Sequence, residues 1–451
     1  MKKRLLSLAL GTMMVLSTLA GCGSKDGGSA TVNTKPEEQG KVLNIYCWNE
    51  EFQSRFEGYY KNVPSDVKVN WVITPNENNA YQNALDAALL KQKDAAADDK
   101  IDMFLIEADY ALKYVNSDYT LDVKDVGLTD DDLKDMYQYT KDIATDSKGK
   151  LKATTWQATP GLFAYRRSIA KDVLGTDDPD KVQEALSTWD KFDKVAEQAA
   201  AKGYKMLSGY DDSYRVFSNN VSAPWVDSNN KIVIDDNIMK WVDQTKKYTD
   251  KGYNNKSSLW DSTWAADQGP SGKVFGFFYS TWGINFTLLG NSLATPVKEG
   301  GKEEVGNGIY GDYAVCEGPQ SYYWGGTWIC AAAGTDNANL VKDVMKTLCC
   351  DKATMKKITE DTQDYTNTTS GMNEIASSNF KSDFLGGQNH IKLFAKSAPK
   401  INMKNISSYD QGLNEEFQKA MKDYFDGNVT KDKALDNFYK AAIEKYPNLS
   451  K

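Results

Sequence analysis

The stretch from Lys41 to Tyr110 alternates apolar runs with one amphipathic stretch. Lys41 to Asn49, KVLNIYCWN, is almost continuously apolar, the pattern of a strand covered on both faces of a sheet. A second run, Val67 to Thr74, passes through Pro75-Asn76-Glu77-Asn78 into a helix that places Tyr81, Leu85, Ala88 and Leu89 on one face. A third, Ile101 to Ile106, ends in Glu107-Ala108-Asp109-Tyr110. Strand, helix, strand alternation builds an α/β lobe, and ligands of such sheets sit beyond the carboxyl ends of the strands. Trp48, Asn49, Glu107 and Asp109 all fall there.

After an acidic helical stretch around Asp130 to Ile143, an extended run from Gly149 passes Trp156, Gln157 and Thr159-Pro160-Gly161 and continues from Leu162 to Tyr165. Pro160-Gly161 breaks one long strand, which suits a segment leaving one sheet for another, so the first crossing between lobes is placed here. Thr188 reads as the N-cap of a helix burying Trp189, Phe192, Val195 and Ala199, with Gly203 as its stop. A helix around Ile238 to Asp250 follows, then a strand from Gly272 to Phe278 closing on Ser280-Thr281-Trp282. Tyr313 to Cys316 and Thr327 to Ala332 are two further strands. Between them a proposed second crossing, Glu317 to Gln320, leads into Tyr322, Tyr323, Trp324, Gly325 and Gly326. Rings beside residues without side chains let a flat, hydroxylated ligand lie on an aromatic face while approaching main-chain amides. The alternative for these rings is a core hairpin in which they only pack. The remainder is helical, with stripes at Leu340, Val341, Val344 and Leu348 and at Leu413, Phe417, Met421 and Tyr424, and a last helix from Lys433 to Tyr446.

At 451 residues, 41% apolar and 12% aromatic, the chain is long enough for two lobes with large cores. Lys2, Lys3 and Arg4 precede an apolar run from Leu5 to Ala20, too short to span a bilayer, that ends in Leu19-Ala20-Gly21-Cys22. LAGC resembles the bacterial lipobox, in which the cysteine receives the lipid and becomes the mature N-terminus. Residues 23–40, rich in Gly, Ser, Thr, Lys and Glu, read as a flexible tether. Without the signal, 51 basic residues face 62 acidic ones, a net charge of about -11, which argues against a nucleic-acid partner. The other five cysteines, Cys47, Cys316, Cys330, Cys349 and Cys350, lack metal-site spacing and read as small buried hydrophobes. The single histidine, His390, excludes a His-rich metal site and is expected on a polar surface loop. GNGIYG, from Gly306 to Gly311, matches G-x-G-x-x-G only by pattern, because no strand precedes it and no helix opens within it. No metal, cofactor or catalytic residue is assigned.

LAGC with its tether, KVLNIYCWN, GKLKATTWQATPGLFAYRRSIA, TWDKF, GKVFGFFYSTW and WGGTWICAAAGTDNAN together resemble the extracellular sugar-binding proteins of ABC importers, of the maltose-binding-protein type in its Gram-positive lipoprotein form. The resemblance implies a two-lobed α/β fold of the periplasmic-binding-protein class (type II), with a ligand cleft between lobes joined by crossing segments. It divides the chain into a signal peptide (1–21), a lipid-anchored tether (22–40), one lobe from 41–157 plus about 318–362, and another from about 160–316 plus 365–451. Carried over by position, the cleft residues are Trp48, Asn49, Glu107, Asp109, Trp156, Gln157, Trp282, Tyr409 and Asp410, joined by Tyr323, Trp324, Gly325 and Gly326 from the aromatic and glycine segment after the second crossing. Thr281-Trp282 replaces the usual proline-tryptophan, and Arg166-Arg167 a common asparagine-lysine. The implied partners are an oligosaccharide, the permease subunits of the importer and, through Cys22, the outer face of the cytoplasmic membrane, with the protein expected to be a monomer and not an enzyme. The main rival is a surface glycoside hydrolase using Glu107 and Asp109. A non-catalytic adhesin would call for repeats or a flat all-β scaffold, and neither pattern is present.

Cys22→Ala is expected to release the protein from membranes or leave it unprocessed, as read by detergent partitioning and by the size of the mature chain; unchanged partitioning and processing would exclude the lipid anchor.

Overall fold

The computed structural model describes residues 32–35 and 38–451; the expected signal peptide, Cys22 and most of the tether lie outside the described residues. The apolar runs become strands β1 (Val42–Cys47), β2 (Lys68–Ile73), β3 (Met103–Glu107), β4 (Ala153–Thr154), β5 (Gly161–Arg166), β6 (Gly276–Ser280), β7 (Tyr313–Cys316) and β8 (Thr327–Ala331). They lie in two sheets, one of order β2-β1-β3-β8-β4 and one of order β6-β5-β7. In the first, β1 runs parallel to β2 and β3, whereas β8 is antiparallel to both β3 and β4. In the second, β5 is antiparallel to β6 and β7. Strands β7 and β8 are therefore not a hairpin, because they belong to different sheets.

Helices cover the sheets with the faces their periodicity marks. Ala80–Leu89 buries Tyr81, Leu85 and Leu89, and Ala338–Cys349 buries Val341, Val344 and Leu348. The Thr188 hydroxyl accepts from the Lys191 amide at 3.2 Å and caps the helix Trp189–Ala201. Some boundaries shift. Strand β6 begins at Gly276 rather than Gly272, because Val274 makes only an isolated bridge to Lys205. Helix Asp410–Phe425 buries Phe425 where Tyr424 was expected. All five cysteines among the described residues are free, four of them buried.

His390 corrects the expectation of a surface loop residue. It opens the helix His390–Ser397, is fully buried between Phe380 and Phe394, and meets the Gln363 carbonyl at 3.0 Å. Burial holds its pKa down to about 4, so the ring packs as a neutral aromatic.

The chain passes between the sheets twice, from β4 to β5 and from β7 to β8, and these crossing segments hydrogen-bond to each other and to residues 365–367, which link the helices Lys352–Thr362 and Thr369–Ala376. The Gly161 amide donates to Tyr322 O at 2.7 Å and the Trp324 amide to Thr159 O at 3.1 Å, while Ala158 N donates to Tyr365 O and Asn367 N to Trp156 O. Gly161 is glycine because Tyr322 occupies the space of a side chain: a Cβ there would lie 2.1 Å from the ring Cζ. That ring is fully buried and its hydroxyl donates to Leu162 O at 2.9 Å, so it cannot swing away.

Gly161→Ala is accordingly expected to cost about 1–3 kcal/mol of overpacking, read from the midpoint of a denaturant titration. An unchanged midpoint would show that the crossings yield freely.

Candidate functional site

The strand directions determine which residues meet. Trp48 and Asn49 follow the carboxyl end of β1, and Glu107 closes β3. Since β8 runs against β3, with Glu107 opposite Thr327, the segment entering β8 reaches the same sheet end. Strand β4 also runs against β8 and delivers Gln157 there. From the other sheet, Gly161 is paired with Ser280, which sets Trp282 at the mouth of the crossings. The result is a cleft of about 880 Å³. It is lined by Trp48, Asn49, Glu107, Asp109, Gln157, Trp282, Trp324, Gly325 and Gly326. A volume near the top of the roughly 300–1,000 Å³ typical of small-molecule sites suits a ligand larger than a single ring.

The aromatic wall is partly core. Trp324 is 7% exposed, stacks on Tyr279 at 5.8 Å and meets Trp282 edge-on at 5.3 Å. It pads the core on one side and lines the cleft on the other. The Trp282 indole N–H donates to Trp324 O at 2.9 Å, fixing one ring to the backbone of the other. Gly325 and Gly326 have φ of +72° and +108°, and a Cβ on either would press on Trp282 or Trp328 at 3.0 Å. Glycine takes these left-handed conformations without a Cβ to press on the rings, and so leads the backbone from Trp324 into β8.

The polar wall is held in place before any ligand arrives. Gln157 donates from Nε2 to Glu51 at 2.7 Å and to Asp364 at 3.1 Å, and its Oε1 accepts from the Thr327 amide at 3.1 Å. Asp364 also accepts from the Thr281 hydroxyl at 2.5 Å, which joins two crossings to the end of β6. Burial, reinforced by Asp364, raises the Glu51 carboxyl to about 7 against the pull of Arg55 and Gln157. The Glu107 carboxylate oxygen accepts from the Asp109 amide at 2.8 Å. Its pKa stands well above the usual carboxylate range, first through burial and then through the neighbouring Asp109. Asp109 forms a two-pronged ion pair with Arg215, which comes from the helix Tyr214–Ser218 on the far side of the cleft.

Four expected residues stand elsewhere. Trp156 is fully buried and stacks on Phe52 at 5.3 Å, because neighbours on an extended segment point to opposite sides and Gln157 takes the cleft side. Tyr323 alternates with Trp324 in the same way and is buried near Tyr139. Asp410 is hydrogen-bonded by the Ser407 hydroxyl at 2.6 Å and raised to about 7 by burial. Tyr323 and Asp410 line a separate, smaller space of about 40 Å³ that Asp109 and Arg215 also border. Tyr409 packs edge-on against Tyr446 at 5.1 Å and accepts from Asn448. Their helix, Asp410–Phe425, docks on the turn after β3 and so closes off its own first residues.

Sequence patterns did not point to Glu51, Arg55, Arg215, Trp260, Phe286 or Gln411, which also line the cleft. Glu51 and Arg55 carried a signal, since a helix opening directly after a strand end in an α/β lobe faces the ligand. Among the described residues no cluster of metal-ligating side chains occurs, and no helix is long and apolar enough to cross a membrane.

Residues 52–384 match the family model of the bacterial extracellular solute-binding proteins. The chain belongs to that family. No curated protein sequence matches it. Among solved structures, an extracellular solute-binding protein of family 1 aligns with a TM-score of 0.71 at 16% identity, over 89% of this chain and 99% of its own. The ABC-transporter-associated binding protein of B. animalis subsp. lactis Bl-04, solved with β-1,6-galactobiose, aligns at 0.66 with 17% identity, over 91% and 98%. Maltose-bound MalE3 of T. maritima aligns at 0.63 with 12% identity, over 90% and 99%. At such identities the likeness establishes the fold, which is the two-lobed α/β architecture of solute-binding proteins.

The raised Glu107 pKa gives this solute-binding protein a pH signature. The folded state keeps the Glu107 proton to higher pH than the unfolded carboxyl, whose ordinary value is 4.5. Ligand-free stability therefore falls as pH rises through and above that value. Glu107→Gln, which preserves the acceptor for the Asp109 amide, is expected to be more stable than the wild type by about 1–2 kcal/mol at pH 8, with the gap closing near pH 4. Parallel stability profiles of the two proteins would refute the shift.

Proposed function

We propose that the protein is the substrate-binding component of an ABC sugar importer, which captures an oligosaccharide in the cleft and presents it to the membrane permease. The observation that carries this is the pairing, in one cleft, of the Trp282 and Trp324 rings with carboxyl and amide groups already fixed by hydrogen bonds. An aromatic face covers the C–H side of a pyranose, while Asn49, Glu51, Glu107 and Gln157 offer donors and acceptors for its hydroxyls. The structural neighbours solved with β-1,6-galactobiose and with maltose support a carbohydrate ligand. The lobes are proposed as 41–157 plus about 318–362 and about 160–316 plus 365–451, the protein as a monomer, and Cys22 as its lipid anchor on the outer face of the cytoplasmic membrane. A sugar bridging the lobes stabilises their closed arrangement, the form a permease would recognise.

The hydrolase alternative has one observation in its favour: a carboxyl with a raised pKa, Glu107, beside a second carboxyl, Asp109. Against it, Asp109 is bound at both oxygens by Arg215 and so is not free to attack or to activate water.

In calorimetric titrations across neutral oligosaccharides, Trp282→Ala is expected to weaken binding of the best ligand at least about tenfold, equivalent to ~1.4 kcal/mol. Chromatography after incubation should recover that sugar intact. Wild-type affinity in Trp282→Ala would remove the ring from the site, and new reducing ends that vanish in Glu107→Gln would establish the hydrolase instead.

A further inference from the structure

Trp260 stands out among the large apolar side chains. It is 59% exposed, and its backbone adopts φ of +73°, a left-handed conformation that tryptophan rarely takes. The surroundings hold it there. On its N-terminal side the Leu259 amide donates to Asp211 and the Ser258 amide to Asp261, and on its C-terminal side Asp261 caps the next helix through the Trp264 amide at 2.8 Å. The ring is aimed accordingly: it lies nearly parallel to Trp282, with 6.1 Å between centroids and 20° between planes, and edge-on to Trp264 at 5.1 Å. Phe286, 56% exposed, lines the same cleft. A ring that only padded Trp264 would need neither the strained backbone nor the exposed face. Strain kept by several independent hydrogen bonds, at a residue paying further for exposure, is the mark of a functional constraint.

We infer that Trp260 is an outer platform of the cleft that reads the length of the bound oligosaccharide. The inference rests on the carbohydrate function proposed above. An inner sugar unit lies against Trp282 and Trp324, in the part of the cleft walled by Glu107 and Gln157. A further unit extends past them and lays its C–H face on the exposed side of Trp260. Trp260 then contributes nothing to a ligand too short to leave the inner part, and its contribution appears with the unit that reaches it.

The test is calorimetry of the full mature chain with ladders of linear α-1,4-glucose and β-1,6-galactose, from monosaccharide to pentamer. Trp260→Ala should bind the shortest ligand within about twofold of the wild type and lose at least about tenfold for the longer members. Trp260→Gly should lose the same binding yet melt about 1–3 °C above Trp260→Ala, since both lack the ring and only glycine relieves the backbone. A loss equal at every length, or no loss at any, overturns the role of Trp260 while leaving the sugar-binding function standing. A glycine variant melting no higher than the alanine variant removes the strain on which the inference is built. A wild type that binds no member of either ladder overturns the sugar-binding function, and this inference falls with it.

Discussion

The structure depends on satisfying the peptide groups of two segments that leave one sheet for the other and of a third that links two helices beside them. A segment between two sheets has lost the ladder partners of both, and buried amides without partners are costly. Here the segments supply one another: residues 156–161 lie between 322–324 on one side and 365–367 on the other, joined by backbone hydrogen bonds of 2.7–3.1 Å. The lobes are thereby linked through a narrow ribbon of ordinary hydrogen bonds. Side chains extend it, with Gln157, Thr281 and Asp364 tying two crossings and the end of β6 into one network.

This ribbon is also the floor of the cleft. Gln157 and Trp324 are crossing residues that also line the cleft. A change in the angle between lobes must therefore move these cleft-lining groups with it. Near the mouth the lobes meet a second time, through the Asp109–Arg215 ion pair and the side-chain amides of Gln82 and Gln411 at 3.3 Å. The hinge and this second contact together frame the space in which a ligand is enclosed.

Carboxyl groups in the cleft pay for their burial by holding protons. Glu51 and Glu107 are both shifted upward, with burial as the leading cause. A protonated carboxyl donates as well as accepts, which widens the set of hydroxyl orientations it can satisfy. Such groups suit recognition of a neutral polyhydroxylated molecule. They would repel an anionic one if ionised.

Local pattern was enough to determine much of this protein. The apolar runs at Lys41–Asn49, Tyr313–Cys316 and Thr327–Ala332, the N-cap at Thr188, and the break at Pro160-Gly161 depend on neighbours a few residues away, and each run holds a strand, the cap and the break standing where the pattern places them. The positions at strand ends, Trp48, Asn49 and Glu107, were legible for the same reason, and Trp282 through the family resemblance. Tertiary structure alone decided which side of an extended segment faces the ligand, so Gln157 and Trp324 reach the cleft while Trp156 and Tyr323 turn into the core. It also decided the antiparallel direction of β8, which no residue of β8 encodes by itself and which brings Gly325 and Gly326 beside Glu107. Arg215, Trp260 and Gln411 come from segments far apart in sequence. Their convergence follows from how two lobes dock around shared crossings, a long-range constraint that the spacing of apolar residues does not carry.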